Sequence, residues 1–480
     1  MRFIGNVEKD AQVRAVASGA LSTGDTVVVN SDGTVSVVAG SDAVTSSPSV
    51  FVSGEVVYNK ATFDSNSNKV VIAYRNSSSG DNGFAVVGTV SGGSISFGTP
   101  VAYNTSASST NDNAIAFDSN SNKVVIAYQD GGNSNYGTAI VGTVSGTSIS
   151  FGTEVVFNAA NSQEFYMAFD SSSNKIVIGY QDFGNSGYGT AVVGTVSGTS
   201  ISFGTATVFQ SSNMEDGSMA FDSSNNKIVI ACGSGTGKAY VGTVSGTSIS
   251  FGSAVTFESG TAVQDTAAVF DSNSNKIVIP YRDGATTGAP GTAIVGTVSG
   301  TSISFGTKVE FNNGYEADFI GATFDSFLNK VVIAYRDRNT PEYGTAVTGT
   351  VSGTSISFDT PVVYEEANSA YNTAVFDSAS NTVVIAYRDV GDSSYGKSVV
   401  FSPASTNLTA ENFLGFADSG YADGQSAAIN STCTVDRNQT GLTAGQKYYV
   451  QTNGALGTTP GDPSVEAGTA ISSTEIIVKG

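Results

Sequence analysis

Residues 113–158 read NAIAFDSNSNKVVIAYQDGGNSNYGTAIVGTVSGTSISFGTEVVFN and divide into four short apolar runs. NAIAF (113–117) is followed by DSNSN, KVVIAYQD (123–130) by GGNSNY, and GTAIVGTV (137–144) by SGTS; ISFGTEVVFN (149–158) closes the stretch. Each run has the length of a β-strand, and each gap is rich in the Gly, Asn, Asp and Ser that reverse a chain. KVVIAY is almost continuously apolar, as in a strand covered on both faces. ISF alternates, as in a strand wetted on one side.

The pattern returns along the chain. The phrase FDSxxN begins at Phe63, Phe117, Phe169, Phe221, Phe270, Phe324 and Phe376, with spacings of 49–54 residues. GTVSGTSISFGT stands verbatim at 142–153, 194–205 and 296–307, with single-residue variants at 88–99, 242–253 and 349–360. A fixed period near fifty marks a repeat architecture, and four antiparallel strands per unit make a propeller blade. The seventh unit stops after its third strand, YGKSVVFSP (395–403), while SVFVSGEVVYN (49–59) aligns with SISFGTPVAYN (94–104) as a displaced fourth strand. Pairing of that strand with the last blade would leave no open edge. The expected fold is all-β: a seven-bladed β-propeller over residues 46–403, closed by its N-terminal strand. GALSTGDTVVVNSDGTVSVV (19–38) parallels TGLTAGQKYYVQTNGALGTT (440–459). Residues 1–45 and 404–480 are therefore expected to form two halves of one discontinuous β-module, into which the propeller is inserted.

Composition narrows the function. Lys+Arg 21 against Asp+Glu 41 gives a net charge of −20, which the phosphate backbone of a nucleic acid would repel. No apolar run is long enough for a membrane span. The N-terminal MRFIGNVEKDAQ lacks the apolar stretch of a secretory signal, so release by lysis rather than secretion is expected. The chain has no His and no Trp, and two Cys only, Cys232 and Cys433. Without Trp there is no sialidase-type Asp box, and without His no imidazole base or ligand; no P-loop and no G-x-S-x-G elbow occur. Acids found in single units, Glu164, Glu215, Asp216, Glu316 and Glu342, form no pair in sequence. The reading is a non-enzymatic protein with no cofactor and no metal.

Three recurring features have two readings each. The FDS aspartates suit either Asx-turns capping a hairpin or a ring of cation ligands; D-x-N-x-N lacks the Gly and Glu of an EF-hand loop, which favours the turn. Arg beside Asp at the end of the second strand (Arg282-Asp283, Arg336-Asp337, Arg388-Asp389) suits an inter-blade ion-pair girdle or a polar binding surface, and the girdle is favoured. Cys232 reads as a small buried hydrophobe.

Variation concentrates in the loop between the second and third strands and in the connections between units, and variable loops on a rigid scaffold carry recognition. Aromatics recur there: Tyr136, Phe165, Tyr166, Phe183, Tyr188, Tyr315, Phe319, Tyr343, Tyr371 and Tyr395. Some rings are expected only to pack the loop bases. Tyr136, Phe183, Tyr188, Tyr343 and Tyr395 are the candidate ligand-binding residues.

The flanks GDTVVVNSDGTV (24–35), ENFLGFADSGYADGQSAA (411–428) and GLTAGQKYYVQTNGALGTTPGDPSVEAGTAISSTEIIVKG (441–480) resemble small β-modules in structural proteins of tailed phages, marine ones especially. The resemblance covers the flanks alone and carries no catalytic residue. It implies a virion fibre, spike or appendage that displays the propeller to a host-surface receptor or glycan, with other virion proteins, and copies of itself, as partners. A cellular surface adhesin or lectin-like module, extracellular or on the cell surface, is the alternative.

Overall fold

The computed structural model describes residues 12–479 apart from 105–109, 261, 340 and 462. The N-terminal stretch read for a secretory signal lies, but for Gln12, outside them. The described chain is all-β. It contains no α-helix, and its 3-10 turns are Ser77–Ser79, Gly131–Asn133 and Phe183–Asn185. It divides into two compact units. One joins the chain up to Ala43 with the chain from Ala404 onward; the other is Val44–Pro403.

In the larger unit one four-stranded antiparallel pattern repeats. Thr110–Asp118 pairs with Lys123–Asp130, which pairs with Tyr136–Ser145, which pairs with Ser148–Phe151 and with the start of Val155–Asp170. The second half of Val155–Asp170 pairs with Lys175–Asp182 and so opens the next repeat. Seven repeats follow one another in this way, with their second strands at Lys69–Asn76, Lys123–Asp130, Lys175–Asp182, Lys227–Ser234, Lys276–Asp283, Lys330–Asp337 and Thr382–Asp389. Each FDS aspartate, from Asp64 to Asp377, accepts the backbone N–H groups two and three residues on. These are Asx-turns closing the hairpin between the first two strands.

The seventh repeat takes its outer strand from the start of the chain. Ser49 faces Ser398, Val50 faces Lys397, Val52 faces Gly396 and Glu55 faces Tyr395. The register corrects the alignment of 49–59 with 94–104. In the second repeat Val155 and Val156 face Ala139 and Thr138, so Ser49 and Val50 take the places of those valines. The place of SISF is taken by Val44–Thr45, facing Ser402 and Phe401. Residues 56–64 belong to the first strand of the first repeat. Packing decides this register. A glycine stands first or second in each third strand, and an aromatic ring of the outer strand lies where its Cβ would be: Phe51 over Gly396, Tyr103 over Gly83, Phe157 over Gly137.

The apolar cores lie between repeats. Phe51, Val70, Ile72, Tyr74, Val384 and Val400 form one cluster drawn from the first and last repeats, and the other clusters likewise mix successive repeats. An aromatic ladder marks every joint. The outer-strand ring of one repeat packs on the second-strand tyrosine of the next: Tyr103 on Tyr128 at 5.2 Å, Phe157 on Tyr180 at 5.2 Å, Phe257 on Tyr281 at 5.3 Å, Phe311 on Tyr335 at 5.0 Å, Tyr364 on Tyr387 at 5.2 Å, and Phe51 on Tyr74 at 5.4 Å. Offset and tilted ring pairs at this spacing add about 1 kcal/mol each beyond area burial.

The recurrence of GTVSGTSISFGT also has its cause at the joints. The glycine after SISF abuts the turn of the next repeat: a Cβ on Gly152 would lie 1.8 Å from the carbonyl oxygen of Thr199, and on Gly306 1.9 Å from that of Thr354. The sixth repeat carries Asp359 there and the seventh Ser46; the turn that Asp359 would meet is absent from the seventh repeat.

The smaller unit holds two five-stranded sheets. Numbered in chain order, the first comprises Gln12–Val16, Thr26–Val29, Val35–Val37, Phe413–Ala417 and Ser426–Asn430; the second comprises Val435–Asp436, Lys447–Val450, Leu456–Gly457, Val465–Ala470 and Ile476–Val478. Both have the spatial order first, fifth, fourth, second, third. The fourth strands carry glycines with matching backbone, Gly415 (φ 148°) and Gly468 (φ 151°), each against a carbonyl that leaves no room for a Cβ. The module is thus a tandem pair of one topology. The larger unit interrupts the first copy between its third and fourth strands. Leu408, Phe416, Tyr448, Val450 and Ile476 join both sheets in one core.

Candidate functional site

The first strands do not run straight. In five repeats a register shift interrupts the pairing near the start, between Val57/Lys60, Asn111/Asn113, Gln163/Tyr166, Asp318/Gly321 and Ala370/Thr373. In the fourth and fifth repeats the strand itself breaks there. At this point one residue per repeat takes the left-handed backbone conformation: Tyr58 (φ 58°), Asp112 (48°), Glu164 (54°), Asp216 (49°), Asp265 (52°), Phe319 (50°) and Tyr371 (52°). None is a glycine, so each costs on the order of 1 kcal/mol or more, a kind of strain that gathers at functional sites. All seven line a single cavity of about 360 Å³.

The seven residues form two arcs. Asp112, Glu164, Asp216 and Asp265 are consecutive, and each carboxylate reaches the backbone of the next repeat. Asp112 Oδ2 accepts from Phe165 N at 2.8 Å, Glu164 Oε2 from Asp216 N at 3.2 Å, and Asp265 Oδ1 from Phe319 N at 3.1 Å; Asp216 takes the N–H of Asp265. Phe319, Tyr371 and Tyr58 complete the circuit as rings in tilted contact, 5.0 Å and 5.3 Å between centroids. Each ring has an arginine of its own repeat over it: Arg336 at 4.7 Å, Arg388 at 5.1 Å and Arg75 at 5.3 Å. Where the left-handed residue is Asp112 or Glu164, the second strand has Gln129 or Gln181 instead.

The carboxylates keep some exposure toward the cavity but are surrounded by protein on their other sides. Burial, reinforced by the neighbouring carboxylates Asp112 and Asp216, pushes Glu164 up to about 8. Burial, with Asp216 and Asp318 nearby, pushes Asp265 up to about 7. Asp112 and Asp216 are raised by burial as well. Lys60 opposes the rise at Asp112 and Glu164, and Arg282 at Asp216 and Asp265. Asn59 also lines the cavity; it is 2% exposed, and neither its amide nitrogen nor its oxygen has a hydrogen-bond partner among the described residues. A buried amide left unpaired is costly and marks a place for a bound group or water. Below this mouth the first strands line a narrower space with small apolar residues such as Ala61, Ile115, Ala267 and Ala322.

The arginines do not pair with the aspartates beside them in sequence. They reach the following repeat or its connection: Arg75 to Asn111, Arg282 to Glu316 and Asp318 at 2.7 Å and 2.6 Å, Arg336 to Asn368 at 3.2 Å, and Arg388 to Glu55 at 3.5 Å. Gln129 and Gln181 do the same with Asn161 and Asn213, both at 2.7 Å. Asp130, Asp182, Asp283 and Asp337 instead cap their own loops.

Of the aromatic residues expected to bind a ligand, Tyr136, Tyr188, Tyr343 and Tyr395 open the third strands at equivalent places, half-buried, opposite Asn161, Asn213, Asn368 and Glu55. Phe183 lies in the turn Phe183–Asn185 and is 44% exposed. They occupy the same end of the repeats as the cavity mouth, with Phe183 and Tyr188 in one loop and the others in separate loops, and among the described residues no ring contact joins any two of them. Phe165 and Tyr166 are buried packing residues. The mouth itself was only partly anticipated: Glu164, Asp216, Phe319 and Tyr371 had drawn notice singly, and Tyr58, Asp112 and Asp265 had not. A signal existed, because each of the seven stands five residues before the phenylalanine of its FDS phrase.

No protein-family model and no curated protein sequence matches this chain. Among solved structures it is similar to the BP39L lectin of Burkholderia pseudomallei. Identity is 11% and the TM-score 0.54, over 74% of this chain and 98% of the lectin. Looser matches are a chain of the mitotic checkpoint complex (9% identity, TM-score 0.49, 75% of this chain and 95% of that one) and the K499G mutant of NanB sialidase from Streptococcus pneumoniae (13%, 0.42, 74% and 70%). At such identities the likeness to the lectin is one of fold alone.

Proposed function

We propose that Val44–Pro403 is a closed seven-bladed β-propeller, its leading strand completing the last blade, and that it binds carbohydrate without chemical turnover at the mouth of its central cavity. Closure is supported by the shared core of the first and last repeats and by one cavity lined from all seven. The observation that carries the binding reading is the two-arc ring. Aromatic faces suit the C–H face of a sugar, carboxylates suit its hydroxyls, and about 360 Å³ is the size of a small-ligand pocket. The fold shared with a lectin is consistent with this. Binding is favoured over hydrolysis because the acids already serve as joints, each holding the backbone of the next repeat.

Tyr136, Phe183, Tyr188, Tyr343 and Tyr395 would then be outer contacts for a longer glycan. In the same proposal the tandem module is the attachment end. Its resemblance to tailed-phage modules makes a virion appendage the assembly, other virion proteins the neighbours and a host-surface glycan the partner.

The test is a glycan array probed with the full chain, repeated with Tyr371→Ala and with the four loop tyrosines changed to Ser. Loss with Tyr371→Ala and only weakening with the loop variant is expected. The reverse would move the site to the loops, and release of reducing sugar would overturn the non-enzymatic reading.

A further inference from the structure

Resting on the carbohydrate reading, we infer that the ligand is a basic glycan, one carrying a free protonated amine, with the amine held by the four-carboxylate arc and the sugar ring laid on the aromatic arc. The arc of acids alone would not carry this. Three further observations do.

The first is the asymmetry of the ring. The carboxylates occupy four successive repeats and the aromatic rings the remaining three, so an occupant meets acids on one side and rings, each already backed by a guanidinium, on the other. A cation is drawn to the acid side and an uncharged sugar ring fits the other. The second is the state of the oxygens. Each hydrogen bond to the next repeat uses one oxygen, whereas a carboxylate has about four acceptor positions. Glu164 Oε2 accepts from Asp216 N, and Oε1 takes no hydrogen bond from the described residues. The third is Asn59, buried, unpaired at both polar atoms among the described residues and lining the same cavity. Its oxygen can accept from an ammonium group while its amide donates to a hydroxyl.

The counter-charges are few. Lys60 is the one cation lining the cavity, and Arg282 stands behind Asp265 at 4.0 Å. Arg75, Arg336 and Arg388 are turned onto the rings and toward neighbouring repeats. A chain of net charge −20 also draws cations and repels anions at long range. A sialylated or sulfated sugar would meet four acids at close quarters.

The experiment compares glucosamine hexamer with N-acetylglucosamine hexamer by isothermal titration calorimetry on the full chain at neutral pH, because in acid the arc itself takes up protons. The two probes share size and shape and differ in the free amine. Wild type should bind the amine form about tenfold tighter or more, the scale of one added charge-assisted contact. Glu164→Gln together with Asp216→Asn keeps an oxygen to accept each backbone N–H and removes two ionisable carboxyls. It should bring the two affinities together by weakening the amine form severalfold more than the acetylated form. Tyr371→Ala should weaken both. Equal affinities in wild type would overturn the basic-glycan inference while leaving carbohydrate binding intact. Binding of neither probe, or of a sialylated glycan instead, would overturn it together with the present account of the site.

Discussion

The Cys232 thiol and the Tyr240 hydroxyl donate to the same atom, Gln210 Oε1, at 3.3 Å and 2.8 Å. Six repeats have tyrosine at the end of the second strand, and the fourth has Cys232. At the place of Tyr240 in the third strand the other six have valine or isoleucine. The ring has moved from one strand to its neighbour: Phe209 of the preceding repeat packs on Tyr240 at 5.0 Å, as Phe157 packs on Tyr180. The thiol left behind is buried and pushed up to about 12, which keeps it protonated and inert.

This exchange should appear as strong coupling. Tyr240→Val alone opens a cavity and should cost about 2–4 kcal/mol. Cys232→Tyr alone overfills the joint and should cost about 1–3 kcal/mol. The double variant, which restores the pattern of the other repeats, should be more stable than the sum by at least about 1 kcal/mol in urea denaturation. Strict additivity would mean the two positions do not share a space.

At the joint between the sixth and seventh repeats, Asp359→Gly should be nearly neutral. It loses a partly exposed ion pair with Lys330 and a hydrogen bond from Thr348, both at 2.7 Å, together worth about 1 kcal/mol. Gly306→Ala, one joint earlier, drives a methyl into a backbone carbonyl and should cost about 2 kcal/mol or more. Equal denaturation midpoints for the two variants would contradict the steric account of the repeated phrase.

The mouth predicts a pH signature. Glu164 rises from 4.5 to about 8 on folding and Asp265 from 3.8 to about 7. A carboxyl that binds its proton more tightly when folded favours the native state below its unfolded pKa. That favour is lost as pH climbs toward the folded value, at about 1.4 kcal/mol per tenfold difference in proton affinity. Carboxylates held low by cations, such as Asp318 and Asp283, act in the opposite sense and are lost on acidification. The difference between proteins isolates the term of interest: Glu164→Gln should match wild type near pH 4 and exceed it in stability above pH 8. A constant gap between the two curves would place the carboxyl in ordinary solvent.

The tandem module should survive excision of its insert. Joining Ala43 to Ala404 through a short Gly/Ser linker restores a direct connection between the third and fourth strands of the first sheet. Gly40–Ser41 pairs with Ser405–Thr406 at the point of insertion, so the ends to be joined are already side by side. The product should melt cooperatively and give a dispersed NMR spectrum. A disordered product would mean that the larger unit is needed to hold the first sheet together.

The repeats were legible because their turns are spelled almost identically, and turn chemistry is local. The register of the leading strand was not. Tyr58-Asn59 matches Tyr103-Asn104 by letter, yet it is Phe51 that must cover Gly396, and that demand comes from packing across strands far apart in sequence. The ring at the mouth escaped for a related reason. Its backbone conformation is the same in every repeat, but it is imposed by the shift in strand pairing rather than by a glycine, so the side chains there vary freely between acid and ring. The arginines do reach the next repeat, as a girdle requires, but the acids they meet, such as Glu316 and Asp318, could not be named, because the neighbouring Arg282 and Asp283 lie on opposite faces of a strand. The shared phrase of the flanks was visible, but their common topology was not, because Phe413–Ala417 and Val465–Ala470 have little in common beyond one glycine.

The joint at Asp359 bears on the order of the repeats. At Gly98, Gly152, Gly204, Gly252 and Gly306 the receiving surface is the same, so any repeat with an SGTS turn could dock there, including one from a duplicated gene segment or from another molecule. Asp359 stands where those five have glycine, its carboxylate bound to Lys330 and Thr348 of its own repeat, and the repeat that follows has no SGTS turn. Ser46 holds the equivalent place at the other side of the last repeat. The two joints of that repeat are thus built differently from the other five, which gives it a fixed place in the order.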